Sequence, residues 1–296
     1  MCSIGGFIST QPLEPWKAQR LAAALLHFGL SRGDQSSGIF YNNQLVKRAV
    51  SATQMIHSER FLGLFRAGHT STTCLTHTRF PTSGERGDDQ AHPFWVGGTV
   101  AVHNGSISNC RHVREKWKLD KPSGVDSELF AQAIDKYGIA KLPEIADDFN
   151  ASASIAVLHG EQLYVARDGN PFEYVTILEG ENAITIFGST QTQVLSSVGH
   201  VWLIPDIGQT ITLPSGKLFA LDAEGELDEI GPFKTAPQVT YKTTYSSSAG
   251  TEVGRFWDNW DDYSWRAPAP SQKGGGSKGK KDRNRNGAFG KSKSSR

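Results

Sequence analysis

The stretch "MCSIGGF", residues 1–7, places a thiol directly behind the first methionine and a glycine pair, Gly5-Gly6, shortly after it. Removing Met1 would leave Cys2 with a side-chain thiol and a free α-amine on one residue. An α-amine titrates near about 7.7 to 8.0 and a cysteine thiol near about 8.5, so the amine can take the thiol's proton. Nucleophile and base would then be a single residue. Methionine aminopeptidase readily removes Met before a small residue such as Cys, so this arrangement needs no special maturation. Met-Cys starts also arise by chance, and the rest of the chain has to decide the matter.

Outward from this point the pattern alternates strands and helices. "SIGGFIS" (3–9) reads as a short buried strand. Residues 14–33, "EPWKAQRLAAALLHFGLSRG", read as a helix with Leu21, Ala24, Leu25 and Phe28 on one stripe and Gly29 near its end. "SSGIFYN" and "QLVKRAV" form an expected hairpin across Asn42-Asn43. Strand character recurs in "TTCLTHTRF", "GTVAVHNGSI", "ASIAVLHG", "QLYVARDG", "YVTILEG", "AITIFGS" and "GQTITLPSG". "SGVDSELFAQAIDKYG" (123–138) reads as a second helix, with Ser123 or Asp126 as its cap and Gly138 as its stop. Many strands interrupted by few helices argue for an α+β layered fold.

Composition narrows the function classes. The 296 residues contain no apolar run long enough to span a membrane and no leader-like start, so a cytoplasmic protein is expected. Cys2, Cys74 and Cys110 are an odd set without C-x-x-C spacing, which points away from a disulfide framework or a zinc site. Cys74 reads as a buried strand residue. The formal charge of +1 hides an asymmetry: residues 271–296 hold nine Lys/Arg against Asp282 alone, so the body is acidic. That basic Gly/Ser/Lys-rich tail is expected to be disordered. It reads either as a solubilising tail or as a weak nucleic-acid contact. Between them, residues 236–270 form an aromatic and acidic extension with Trp257, Trp260 and Trp265. This segment either packs back on the domain or docks a partner through its tryptophans.

"MCSIGGF", "SRGDQSSGI", "THTRFPTSG", "AHPF", "VAVHNGSISN" and "GVDSELF" follow one another at domain-like spacing. Taken together they resemble the class II glutamine amidotransferases, including the glucosamine-6-phosphate synthase and glutamine phosphoribosylpyrophosphate amidotransferase families. The resemblance runs more weakly through "VARDGNPF", "FGSTQTQVLS" and "LIPDIGQTITL", to about residue 225. It implies a four-layer αββα N-terminal-nucleophile hydrolase sandwich over residues 2–235.

The resemblance also implies roles. Cys2 would attack the glutamine amide, with Asn104 and Gly105 as the oxyanion hole at a strand end in a tight turn. An ordinary Asn-Gly hairpin turn is the plainer alternative there. Arg79 and the Thr82 hydroxyl would hold the substrate α-carboxylate, helped by backbone N–H groups near Phe80 and Ser83. Asp126 would bind the α-ammonium, with a helix cap as its other reading. His92 falls close to the glutamine site in the family. One departure stands out: where the family has an acidic residue after Arg-Gly, this chain has Gln35, with Asp34 one residue early. Arg32 is therefore expected to be a structural partner of the nucleophile's surroundings. The half-reaction needs no cofactor or metal. Residues past 235 carry no synthase or P-loop motif, so the favoured expectation is an ammonia acceptor on a separate synthase partner, with a free-standing glutaminase, a related N-terminal-cysteine hydrolase of another γ-glutamyl or small amide, or a non-catalytic interaction module on the same fold as the alternatives.

Overall fold

The computed structural model describes residues 1–66, 68–80, 87–120, 123–202 and 208–234. They belong to the first of two compact units, Met1–Thr240; the second, Tyr241–Arg296, lies outside the described residues, and with it the tryptophan segment and the basic tail.

The chain begins with β1 (Ser3–Ser9), α1 (Pro15–Gly29), the hairpin β2 (Ser36–Tyr41) and β3 (Gln44–Arg48), short α2 (Ala52–Ile56) and α3 (Glu59–Gly63), and β4 (Thr73–Arg79). It continues through β5 (Phe94–Val96), β6 (Thr99–Ile107), α4 (Cys110–Trp117), α5 (Glu128–Tyr137) and α6 (Leu142–Ala146). Then come β7 (Ala151–His159), β8 (Gln162–Asp168), β9 (Glu173–Glu179), β10 (Asn182–Gly188), α7 (Gln191–Val201), β11 (Ile211–Thr212), β12 (Lys217–Leu221) and β13 (Leu227–Pro232).

Two antiparallel sheets result, ordered β11-β9-β10-β1-β4-β2-β3 and β13-β12-β8-β7-β6-β5. Helices α1 and α7 lie on the first sheet, and α5, flanked by α4 and α6, lies on the second. The layers are therefore αββα. Strand alternation builds the interior between the sheets: Ile4, Ile8, Phe40 and Leu75 from the first meet Val100, Val102, Val165 and Phe219 from the second. A second core, with Phe130, Phe149 and Ile155, fills the space between the second sheet and its helices. Each such fully buried side chain contributes about 1.5–3 kcal/mol. Among the described residues no helix is long and apolar enough to cross a membrane.

Most expected elements form, and the Asn42-Asn43 turn has both residues at positive φ, as a two-residue hairpin turn of this kind requires. Three differences matter. The strand expected over 208–216 shrinks to Ile211–Thr212. Helix α5 starts at Glu128, with Ser127 at its cap position and no side-chain cap, so neither Ser123 nor Asp126 is the N-cap. Ser123 instead donates through its backbone N–H and hydroxyl to Glu128 Oε2, at 3.1 and 2.5 Å. Helix α7 was not expected, although Thr190-x-x-Gln193 carries its capping signal and the Thr190 hydroxyl accepts from Gln193 N.

Candidate active site

Antiparallel register places the nucleophile candidate. Ser3 pairs with Thr78, so Cys2, just before β1, lies beside Arg79 at the end of β4. Cys2 shares the parity of Ile4, and Arg79 that of His77 and Leu75; Ile4 and Leu75 face the space between the sheets. On β6, Asn104 shares the parity of Val100 and Val102, which line the same space. The His77 Nε2 to His103 O contact, 3.0 Å, ties β4 to β6 where these residues converge.

Cys2 is buried, and its thiol donates to the Phe80 carbonyl at 3.7 Å. Burial pushes the thiol above its ordinary range; the Phe80 contact, the chain's N-terminal charge and Arg79 pull it down, and Asp126 pushes it up. The thiol therefore lies within electrostatic reach of both Arg79 and Asp126. Arg32 Nε donates to the Cys2 carbonyl at 2.8 Å. The ammonium of Met1 is held below its ordinary value by burial, opposed by Cys2 and aided by Arg32.

Asn104 is buried, and its Nδ2 has no hydrogen-bond partner among the described residues. Leaving such a donor unsatisfied costs about 1–3 kcal/mol. Gly105 corrects the expected tight turn: β6 runs straight through it, pairing Asn104 with Ser154 and Gly105 with Ala153. A Cβ at Gly105 would fall 1.9 Å from the Ser152 carbonyl, so only glycine lets β7 approach this closely.

Asp126 sits in the turn before α5. Its Oδ2 accepts from Ile107 N at 2.8 Å, and its Oδ1 accepts from Ser127 N at 2.9 Å and Ser127 Oγ at 3.2 Å. A carboxylate offers about four lone-pair positions, so one stays open. Arg79 is 5% exposed, whereas Phe80 is 45% exposed. Thr82 and Ser83 lie outside the described residues.

His92 is buried and stacks on His77, ring centroids 4.0 Å apart, with Phe94 edge-on at 4.8 Å. Neither of its ring nitrogens has a partner among the described residues. Burial, reinforced by His77, His103, Arg79 and Lys47, holds it well below its ordinary pKa. His103 faces the other way, onto Phe130, and its Nδ1 lies 2.8 Å from Ser127 Oγ. Sequence reading did not single out His77, His103, Ser127 or Gln193. Gln193 Oε1 accepts from the Ser3 hydroxyl and from Ser189 N, both at 2.9 Å, while its Nε2 donates to Leu25 O at 2.9 Å, fixing β1 behind the thiol. Among the described residues no cluster of three His, Cys, Asp or Glu side chains is arranged to hold a metal.

The chain matches no family model. Its sequence is similar to the glutamine–fructose-6-phosphate aminotransferase (isomerizing) of Agrobacterium fabrum, 30% identical over 141 residues, covering 46% of this chain and 22% of that protein. It is also similar to the amidophosphoribosyltransferase of Methanothermobacter thermautotrophicus, 31% identical over 107 residues, covering 32% of this chain and 23% of that protein. The chain thus spans less than a quarter of the length of either relative. A solved allosteric regulatory enzyme of purine biosynthesis shares the fold, with a TM-score of 0.59 at 16% identity over 78% of this chain and 49% of that one.

The fold is that of the N-terminal-nucleophile hydrolases. Over the matched segments its sequence is similar to these glutamine-dependent amidotransferases, in keeping with the resemblance of its ordered motifs to the class II glutamine amidotransferases.

Proposed function

We propose that this domain hydrolyses the side-chain amide of L-glutamine through a thioester on Cys2. The observation that carries the reading is the strand register that sets Cys2 beside Arg79, with Asp126 as the carboxylate whose charge also acts on the thiol. A free amino acid has an α-carboxylate and an α-ammonium, and these two side chains match them. Arg79, with Thr82 and backbone near Phe80 and Ser83, would grip the carboxylate. Asp126 has room for the ammonium beside its three present donors. His92 would border the bound substrate.

A thiol raised by burial is protonated at neutral pH and needs a base. Loss of Met1 would supply one, because an amine at the Cys2 position would be more deeply buried than the already depressed Met1 ammonium. The Cys2 sulfur would then attack the amide carbon as its proton passes to the amine. The developing oxyanion would rest on Asn104 Nδ2 and the Gly105 N–H. One such donor is worth about 2.7–4 kcal/mol in the transition state. The amine's proton leaves with ammonia; water then cleaves the thioester, releasing glutamate. In this reading residues 2–235 form the glutaminase domain, and the 236–270 extension recruits a separate synthase that takes the ammonia.

Incubation with a diazo or chloroketone glutamine analogue, followed by intact-mass measurement, tests this. One adduct on a chain lacking Met1, abolished by Cys2→Ala, is expected. An unmodified Cys2, or a chain retaining Met1, overturns the reading. Truncation before Ala236 should leave glutamate release intact and remove stimulation by the partner.

A further inference from the structure

The turn "DGNPF" (168–172) leaves β8 and carries Asn170 to the back of the oxyanion-hole candidate. Gly169 adopts φ +82° and bridges Ala153 of β7. Pro171 confines the preceding Asn170 to extended backbone. Phe172 is fully buried and stacks on Phe187 at 5.4 Å, anchoring the turn in the inter-sheet core. Asn170 is thus held on both sides, and its side chain is buried.

Its Nδ2 donates to the Asn104 carbonyl at 3.0 Å and to Ser152 Oγ at 2.8 Å. An amide nitrogen has two hydrogens, so both are engaged. The opposite amide orientation would set oxygen against the Asn104 carbonyl, acceptor against acceptor, which fixes the assignment. Asn104 therefore has its backbone clamped from behind, while its own Nδ2 has no partner among the described residues.

We propose that Asn170 is a positioning residue that aims the Asn104 amide at the developing oxyanion. The inference rests on the glutaminase reading above. A donor helps a transition state only if it is fixed before the charge appears, and a misplacement of about 1 Å can cost about 100-fold in rate. Asn170→Asp keeps the size but removes the donor; Asn170→Ala removes the whole contact and serves if the aspartate variant does not fold.

The test is steady-state glutaminase kinetics together with inhibition by glutamate γ-semialdehyde. The Cys2 sulfur adds to the aldehyde carbon of this probe, its proton ends on the new oxygen or the amine, and nothing leaves. Expected is a fall in kcat of about 10- to 100-fold with KM for glutamine within about twofold. Affinity for the semialdehyde should fall in parallel with kcat, and Tm should stay near wild type. An inactive wild-type chain overturns the glutaminase reading and this one with it. An active wild type whose variants keep kcat and semialdehyde affinity overturns the role of Asn170 alone. So does a loss in which kcat, KM and Tm collapse together.

Discussion

Arg32 Nε donates to the backbone carbonyl of Cys2 at 2.8 Å, joining the loop after α1 to the residue that bears the thiol. In the same loop Gln35 reaches Arg79 through its backbone N–H at 3.0 Å, and its side-chain Oε1 has no partner among the described residues. With Gln35 where the family pattern has an acidic residue, the loop is joined to β4 through this backbone bond. Arg32, not an acidic residue at position 35, steadies the N-terminus.

Arg32→Ala should consequently loosen Cys2 without touching substrate. A charge-assisted hydrogen bond to a half-buried carbonyl is worth about 1.5 kcal/mol, the lower end of its range because solvent reaches the guanidinium. Alkylation of Cys2 by the chloroketone analogue should slow by about tenfold, with Arg32→Lys between the two. Equal rates in wild type and Arg32→Ala would show that the carbonyl contact does not position the nucleophile.

Asp126 gives a separable prediction. Ser127 supplies it with a hydroxyl at 3.2 Å, and that hydroxyl is itself 2.8 Å from His103 Nδ1. Ser127→Ala leaves the Ile107 and Ser127 backbone donors in place but frees one side of the carboxylate. A hydrogen bond to an ionised carboxylate contributes about 1.5–3 kcal/mol, and this one, long at 3.2 Å and backed by two backbone donors, falls at the lower end, so KM for glutamine should rise about 10-fold with kcat retained. Ser127→Thr keeps the hydroxyl and should keep KM. A loss in kcat instead, or failure of the threonine to rescue, would remove Asp126 from ammonium binding or Ser127 from its support.

How far the sequence could be read depends on the range of each signal. β1, α1, the Asn42-Asn43 hairpin and β4 were legible because alternation, helical stripes and turn residues are local. Cys2, Arg79, Asn104 and Asp126 were picked out by the ordered motifs, whereas what sets Cys2 beside Arg79 is a strand register that no single segment contains. The extension of β6 through Gly105 was misread because Asn-Gly is a turn signal by local chemistry, and what overrides it is the Ser152 carbonyl on β7. His77, Ser127 and Asn170 were not legible as supporting residues: each acts through a backbone or side-chain atom that sequence spacing does not report.

The buried histidines make stability depend on pH in a direction that can be stated. Burial, opposed by the His103 carbonyl contact and aided by the charges of His103 and Arg79, lowers His77 to about 3; His92 and His103 are also depressed, each chiefly by burial. In the unfolded chain each titrates near about 6.5. Above that pH neither state binds the proton, and the neutral folded rings incur no penalty. As pH falls below about 6.5 the unfolded state binds protons that the folded state refuses, so stability is lost until the folded pKa is reached. Each such histidine contributes a slope of about 1.4 kcal/mol per pH unit in that window. Urea unfolding of wild type and His77→Phe at pH 7.5, 6 and 5 measures it. The variant loses its 3.0 Å contact to the His103 carbonyl and starts less stable, but its stability should fall less steeply between pH 6 and 5, by about one histidine's slope. Parallel curves for the two proteins would mean that His77 takes up its proton in the folded state, and that the stacked pair is not held neutral.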